Sequence, residues 1–380
     1  MIDRYLSGEI LARLNSGKAL VIMGARQVGK TTLLKSLFAD AIWLNGDNAD
    51  TRVKLSNPNA DVLRTEIGEN KKVVIDEAQR IENIGLCAKI IIDQLPDVTL
   101  ILSGSSSFDL ANKINEPLTG RKWEWMMFPL SFSEMCKATS LATEMRLLDQ
   151  RLLFGYYPEV VSNPGDQISL LKQLSSDFLY KDILTWENIQ KPDKLERLLQ
   201  ALALQVGQLV SVHEIGKICG LNSTTVERYV SLLEKTFIIY RLGSFSRNLR
   251  NELNKSRKIY FYDNGLLNAV INQFKPLALG TDTGGLWENF LIAERTKYLA
   301  EQGIYANRYF WRTKDQAEID YIEEINGDIF AYQFKWNPAA KAGFAPSFSA
   351  AYQPIKLSVI HRDNYAEWLS AKWIWSSHYR

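Results

Sequence analysis

The stretch "ALVIMGARQVGKTTLLKSLF", residues 19–38, constrains the fold more than any other part of the chain. Five apolar residues read as a buried strand, Gly24 and Gly29 bound a loop, and apolar residues at helical spacing follow. The loop Gly24, Ala25, Arg26, Gln27, Val28, Gly29, Lys30 and Thr31 matches the pattern G-x-x-x-x-G-K-[ST]. Backbone N–H groups of such a loop converge on a phosphate, and the helix that opens there adds a favourable dipole. The pattern expects the Lys30 ammonium on the β- and γ-phosphates of ATP and the Thr31 hydroxyl on Mg2+. Thr32 completes the nucleotide-binding set. A strand–loop–helix of this kind requires parallel strands beside it, which sets the class as α/β.

Two further strand ends supply chemistry. "KKVVIDEAQRI", residues 71–81, is an apolar run closing on two acids. Asp76 is expected to hold Mg2+ through water, and Glu77 to orient or deprotonate the attacking water. "VTLILSGSSSFDL", residues 98–110, is another apolar strand ending in small polar residues. There Ser103 or Ser105 either senses the γ-phosphate at the carboxyl edge of the sheet or caps the helix begun by "FDLANKI". Arg121, in "LTGRKWEW", is a candidate charge-stabilising finger in its own subunit or across an oligomer interface, and equally a surface arginine.

A chain of 380 residues favours two or three units, and 46% hydrophobic residues with ten tryptophans can fill their cores. A net charge of +2 says nothing about nucleic acid, so local charge must carry that argument. Cys87, Cys136 and Cys219 show no metal spacing and fit a reducing compartment. The N-terminal segment lacks the apolar core of a signal peptide, and no apolar run approaches the ~18 residues of a membrane span. The expectation is a soluble cytoplasmic protein with no membrane partner.

The ordered set "GARQVGKTTLL", "VVIDEAQ", "LILSGSSS", "LTGR" and "FPLSFSE" resembles the prokaryotic AAA-type ATPases that carry a C-terminal domain of unknown function. The resemblance continues through "GYYPEVV", "FLYKDIL", "TVERYVSLLEKTFIIYRL", "KIYFYDNGLL", "LWENFLIAE" and "EID…QFK", nearly the whole chain. It implies an ATP-binding domain, a winged-helix-like middle and a C-terminal core similar to restriction-endonuclease-like folds.

Residues 211–243 read as helix, turn, helix, strand. Ile215, Ile218, Val226, Val230 and Leu233 form an apolar stripe, Gly220 and Asn222 the turn, and Ser223 the cap. Thr224, Thr225, Glu227 and Arg228 are the exposed candidates on the second helix. Beyond it Arg241, Arg247, Arg250, Lys255, Arg257 and Lys258 face the single acid Glu252, with Phe245 and Tyr260 alongside. The 211–258 region therefore either contacts DNA phosphates or presents a solvated edge.

In the last third, "GGLWENFLIAERTKYLAEQG" reads as an amphipathic helix burying Trp287, Leu291 and Tyr298. "AEIDYIEEINGDIFAYQFKW" is a hairpin about Asn326-Gly327, placing Asp320 opposite Gln333 and Glu318 opposite Lys335. Helix acid, strand acid and strand lysine follow the order of a PD-(D/E)xK nuclease core. By that order Asp320 is the main metal ligand, Glu288 a helper, Glu318 an accessory and Lys335 the active-site lysine. Gln333 departs from it by removing one negative charge. The alternative is a pair of ordinary cross-strand contacts. His361 and His378 have no partners at metal spacing.

The segments expected are a P-loop ATPase domain at 1–150, a helical and winged-helix-like domain at 151–250 and a mixed α/β nuclease-like domain at 251–380. The function expected is Mg2+-dependent ATP hydrolysis serving a nucleotide-controlled switch. The alternatives are an ATP-regulated metal-dependent nuclease and a non-catalytic ATP-binding module.

Overall fold

The computed structural model describes residues 2–105, 110, 113–177, 192–246, 257–279, 283–313 and 315–370. The chain forms two compact units, one of residues 1–129 with 235–237 and one of 130–234 with 238 onward. It is mixed α/β, with a parallel sheet of the P-loop type, a helical middle and a second, mixed sheet.

The first sheet contains β1 (Ala19–Met23), β2 (Ile42–Asn45), β3 (Lys72–Asp76), β4 (Thr99–Gly104) and β5 (Lys122–Met126), in the order β2-β3-β4-β1-β5. Every pairing is parallel. β1 is buried at all five positions, as its unbroken apolar run requires of a strand covered on both faces. β4 lies between β1 and β3, so the ends of all three strands open onto one edge.

The second sheet contains β6 (Leu209–Val210), β7 (Ile239–Ser244), β8 (Arg257–Phe261), β9 (Asn307–Arg312), β10 (Glu318–Ile325), β11 (Asp328–Phe334) and β12 (Lys356–Ile360). Its order is β12-β11-β10-β9-β7-β8-β6. β7 and β8 thus share a sheet with β9 to β12, and no boundary falls near residue 250. The reason is hydrogen bonding: Gly243 and Ser244 pair in parallel with Tyr309 and Phe310, and Phe245 N–H donates to the Phe310 carbonyl at 2.6 Å. The boundary expected at 150 moves as well. Residues 130–150 belong to the second unit, where Phe132 packs on Tyr365 at 5.4 Å and its N–H donates to Glu294 at 2.7 Å.

The hairpin has the expected register, with Tyr321 opposite Tyr332 and Ile325 opposite Asp328. Asn326 and Gly327 have φ of 53° and 92°, the left-handed pair that such a two-residue turn requires. Other expectations need correction. The helix Thr283–Glu301 is buried from Leu286 to Leu299 except at Glu288, so it is not amphipathic. Its interior charges are matched instead: Arg295 grips Glu323 at 2.7 and 2.8 Å, and Lys297 pairs with Glu294. Asn222 rather than Ser223 caps the helix Ser223–Lys235, accepting from Thr225 N–H at 2.8 Å. Ile215, Val226, Val230 and Leu233 are buried as the stripe requires, whereas Ile218 is 62% exposed.

Candidate active site

The phosphate-binding loop is shaped by backbone conformations that need glycine. Gly24 has φ of 157°, and a Cβ there would stand 2.1 Å from the Met127 carbonyl oxygen. Gly29, at φ 96°, turns the chain into the helix Lys30–Leu37. Gln27 adopts φ of 58° between them. The loop is also clamped from outside the motif. Arg4, nearly buried, donates to the Val28 carbonyl at 2.8 Å and the Phe128 carbonyl at 2.6 Å. Sequence reasoning missed Arg4, because a lone arginine near the start of a chain gives no local signal.

The side chains gather as the motif requires. Lys30 is 6% exposed, and its ammonium donates to the Gly24 and Ala25 carbonyls at 2.8 and 2.7 Å. A cation folded over its own loop in this way lies where anionic phosphate would meet it. Thr31 donates to Asp76 Oδ2 at 2.8 Å, joining the helix start to the end of β3. Asp76 Oδ1 accepts from Ser103 at 2.5 Å and from the Glu77 N–H at 3.1 Å. Hydroxyl and carboxylate oxygens at one point are the hard donors that Mg2+ takes, with phosphate and water completing its shell, so the residues fit the ion. Glu77 sits in the left-handed conformation, φ 50°, and its Oε2 accepts from Gln79 at 2.6 Å. Gln79 also donates to Ser105 at 3.1 Å. Ser103 thus contacts Asp76 and Ser105 contacts Gln79, while residues 106–109 and 111–112 lie outside the described residues. Arg26 is half-buried, while Gln27 and Thr32 are exposed.

Arg121 does not join this group. Its carbonyl accepts from Ala19 N–H at 2.9 Å, which fixes it at the amino end of β1, the opposite sheet edge from Gly24. Its guanidinium pairs with Asp93 at 2.9 Å in an exposed position. A part in phosphate chemistry within its own subunit is excluded by that placement.

The polar square of the hairpin is replaced by a different arrangement. A bulge in β10 between Ile319 and Ile322 shifts its register against β9 and breaks the alternation on which the square depends. Glu318 meets Lys258 at 2.6 Å and Arg312 at 3.2 Å instead of Lys335. Gln333 donates to the Glu318 carbonyl at 2.6 Å, and Asp320 accepts from Phe334 N–H at 2.7 Å. Glu288 accepts from Lys258 at 3.0 Å and from the Tyr260 hydroxyl at 2.5 Å. The buried Lys258 side chain thus lies between Glu288 and Glu318, the helper and accessory of the expected set. Burial opposes its charge, but Glu288 and Glu318 outweigh that and raise its pKa. Burial, with Glu288 nearby, pushes the Asp320 carboxyl up to about 6, against the pull of the Phe334 N–H and of Lys258 and Lys335. Among the described residues no three His, Cys, Asp or Glu side chains are grouped to hold a metal. In the sequence Lys258 stands in a basic run open to either a phosphate contact or a solvated edge, with Tyr260 alongside. Their i, i+2 spacing on a strand, which puts both on one face toward Glu288, was the signal available.

Two further basic candidates are similarly committed, whereas Thr224 and Arg228 of the second helix are exposed. Arg241 pairs with Glu227 at 3.1 Å and Glu234 at 2.6 Å, and Arg257 pairs with Glu227 at 2.8 Å. Phe245 is buried against Tyr309 and Tyr352, and Tyr260 is fully buried, so neither ring is available to stack on a base. Arg247, Arg250, Glu252 and Lys255 lie outside the described residues, as do "FLYKDIL" and His378.

Comparison with known proteins agrees with this geometry. A family model described as an AAA domain matches residues 16–136, and models for two domains of unknown function, DUF8612 and DUF4143, match 145–277 and 283–377. Residues 16–136 thus match an AAA domain and residues 283–377 a DUF4143 domain. An uncharacterized protein of Mycobacterium tuberculosis is 27% identical over 344 residues, covering 88% of this chain and 74% of its own length. An uncharacterized protein of Haemophilus influenzae is 23% identical over 339 residues, covering 82% and 81%. Among solved structures, a Walker-type ATPase of Pyrococcus abyssi is 15% identical with a TM-score of 0.49, over 71% of this chain and 96% of that one. The AAA domain accounts for the P-loop, and no described helix is long and apolar enough to cross a membrane.

Proposed function

We propose that this protein binds ATP with Mg2+ at the carboxyl edge of the first sheet, hydrolyses it, and uses the nucleotide state as a switch read by its second unit. The observation that carries the reading is the Thr31–Asp76 hydrogen bond at 2.8 Å beside a buried Lys30 ammonium. It joins two motifs 45 residues apart in the arrangement that nucleotide hydrolysis needs. Thr31 and Asp76 would hold the Mg2+, whose contribution when bound is to neutralise phosphate charge. Loop N–H groups and Lys30 bind and orient the phosphates. Glu77 takes a proton from water as the water oxygen bonds to the γ-phosphorus. The bond from that phosphorus to the bridging oxygen breaks, its electron pair leaving with ADP.

The second unit supports a binding role more than a cutting one. The helices Pro192–Leu204, Val212–Cys219 and Ser223–Lys235, followed by β7 and β8 and completed by β6, support a winged-helix-like reading of that segment. The Lys258 ammonium between Glu288 and Glu318 gives the metal-dependent nuclease reading no support.

Hydrogen exchange tests the switch. ATP with Mg2+ and ADP with Mg2+ are expected to give different protection in the second unit as well as at the P-loop. A difference confined to the first unit would reduce the protein to a plain ATPase, and identical patterns throughout would remove the switch.

A further inference from the structure

Between the two acids of β3 and the end of β4 stands a glutamine to which the sequence motifs assign no part. Gln79 is 5% exposed and belongs to the single 3-10 turn Ala78–Arg80 that follows Glu77. Its amide nitrogen donates to Glu77 Oε2 at 2.6 Å and contacts Ser105 Oγ at 3.1 Å. The amide cannot be turned over in place. Its oxygen would then face a carboxylate oxygen at 2.6 Å, two acceptors with no proton between them. As it stands, its oxygen is buried and has no hydrogen-bond partner among the described residues. That oxygen lies so near Gly104 that an added Cβ would come within 2.6 Å of it. Leaving a buried carbonyl oxygen unpaired is unfavourable, so the side chain is held there by what its nitrogen does.

The backbone on both sides is fixed too. Lys113 Nζ donates to the Gln79 carbonyl at 2.6 Å and the Ile81 carbonyl at 3.2 Å. Arg80 N–H donates to the Glu77 carbonyl at 3.0 Å. Glu77 is half-buried, and the hydrogen bond from Gln79 occupies one of its two carboxylate oxygens.

We propose that Gln79 is the positioning residue for Glu77: it holds one carboxylate oxygen so that the other faces the attacking water, and Ser105 ties the pair to the end of β4. The proposal deepens the ATP-hydrolysis reading and rests on it. Gln79 touches no reacting atom, and the proton from water goes to the Glu77 oxygen that Gln79 leaves open. Because Ser105 is two residues beyond Ser103, which bonds Asp76, β4 couples the orientation of Glu77 to the Mg2+-side carboxylate.

The experiment is steady-state ATP hydrolysis by the full chain across pH 5.5–9 (roughly the window in which a carboxylate base is deprotonated), with Gln79→Leu, Gln79→Glu and Ser105→Ala. Affinity for a non-hydrolysable ATP analogue is measured in parallel. Gln79→Leu is expected to lower kcat about 10- to 100-fold with KM and analogue affinity within about 3-fold, the signature of lost orientation rather than lost binding. Gln79→Glu sets a second carboxylate against Glu77 and is expected to move the acid limb of kcat upward by about one pH unit or more, since a like charge favours the protonated form. Ser105→Ala is expected to lower kcat about 3-fold, a small loss because Gln79 still holds Glu77. Wild-type kcat in a folded Gln79→Leu, an unmoved acid limb in Gln79→Glu, or a loss confined to ATP affinity would each overturn the assignment. If Gln79→Leu fails to fold, the pH profile of Gln79→Glu and the kcat of Ser105→Ala decide alone. A wild type that binds ATP without turning it over overturns this proposal and leaves nucleotide binding standing. One that binds no ATP overturns both.

Discussion

Replacing Lys258 by methionine is expected to unmask the carboxylates around it. Methionine keeps about the length and apolar stem of lysine and removes the ammonium, together with its contact on the Phe310 ring at 5.5 Å. The Lys258 side chain is 2% exposed and serves Glu288 and Glu318, whose side chains are 17% and 24% exposed. Removing one partner of a fully buried pair costs about 3–5 kcal/mol. Here Glu288 keeps the Tyr260 hydroxyl and Glu318 keeps Arg312, and both acids touch solvent, which sets the loss at the low end, about 3 kcal/mol. With a denaturant slope of about 3 kcal/mol/M, the urea midpoint of the second unit should fall by about 1 M. Adding Glu288→Gln to the methionine variant should recover part of the loss, with a coupling of about 1–3 kcal/mol. Millimolar Mn2+ should stabilise Lys258→Met and leave the wild type unchanged, because a cation then replaces the ammonium. A midpoint shift under about 0.3 M, or zero coupling with Glu288→Gln, would refute the account of Lys258 as the built-in cation.

Glu323→Ala strands the fully buried Arg295 guanidinium, and urea titration should show a loss of about 3–5 kcal/mol. The double change Arg295→Met with Glu323→Leu should be much milder. Asp320 titrates at about 6 in the fold against 3.8 ordinarily, so its contribution to stability is complete below pH about 4 and lost as pH rises through 6. Asp320→Asn should therefore flatten the stability of the second unit between pH 4 and 7 by about 2 kcal/mol, measured by melts across pH. Gly24→Ala forces its Cβ into the Met127 carbonyl and should abolish nucleotide binding while the second unit melts as in wild type.

The P-loop, the acids of β3 and the ends of β1 and β4 were legible because each is a local pattern read along one strand and its turn. The hairpin was equally legible from Asn326-Gly327, whose conformation is set by those two residues alone. What failed was anything decided between distant segments. The bulge at Ile319–Ile322 is set by pairing with β9, and it turned an expected four-residue square into a cluster around a lysine from β8. Charge counting along the sequence could not place Arg241 and Arg257 either, because their partners Glu227 and Glu234 lie on the preceding helix. The boundary expected at residue 250 failed for the same reason: the pairing of β7 with β9 leaves no trace in composition. Arg4 and Gln79 were overlooked since their roles depend on carbonyls and carboxylates that only folding brings near.

The most direct test of the central claim is phosphate release from ATP and Mg2+ by wild type, Lys30→Ala and Glu77→Gln, with ATP binding measured on the same samples. The account predicts turnover by the wild type, loss of both binding and turnover in Lys30→Ala, and retained binding with turnover lowered at least about 100-fold in Glu77→Gln. Undiminished turnover in Glu77→Gln, or a wild type that does not bind ATP, would contradict it.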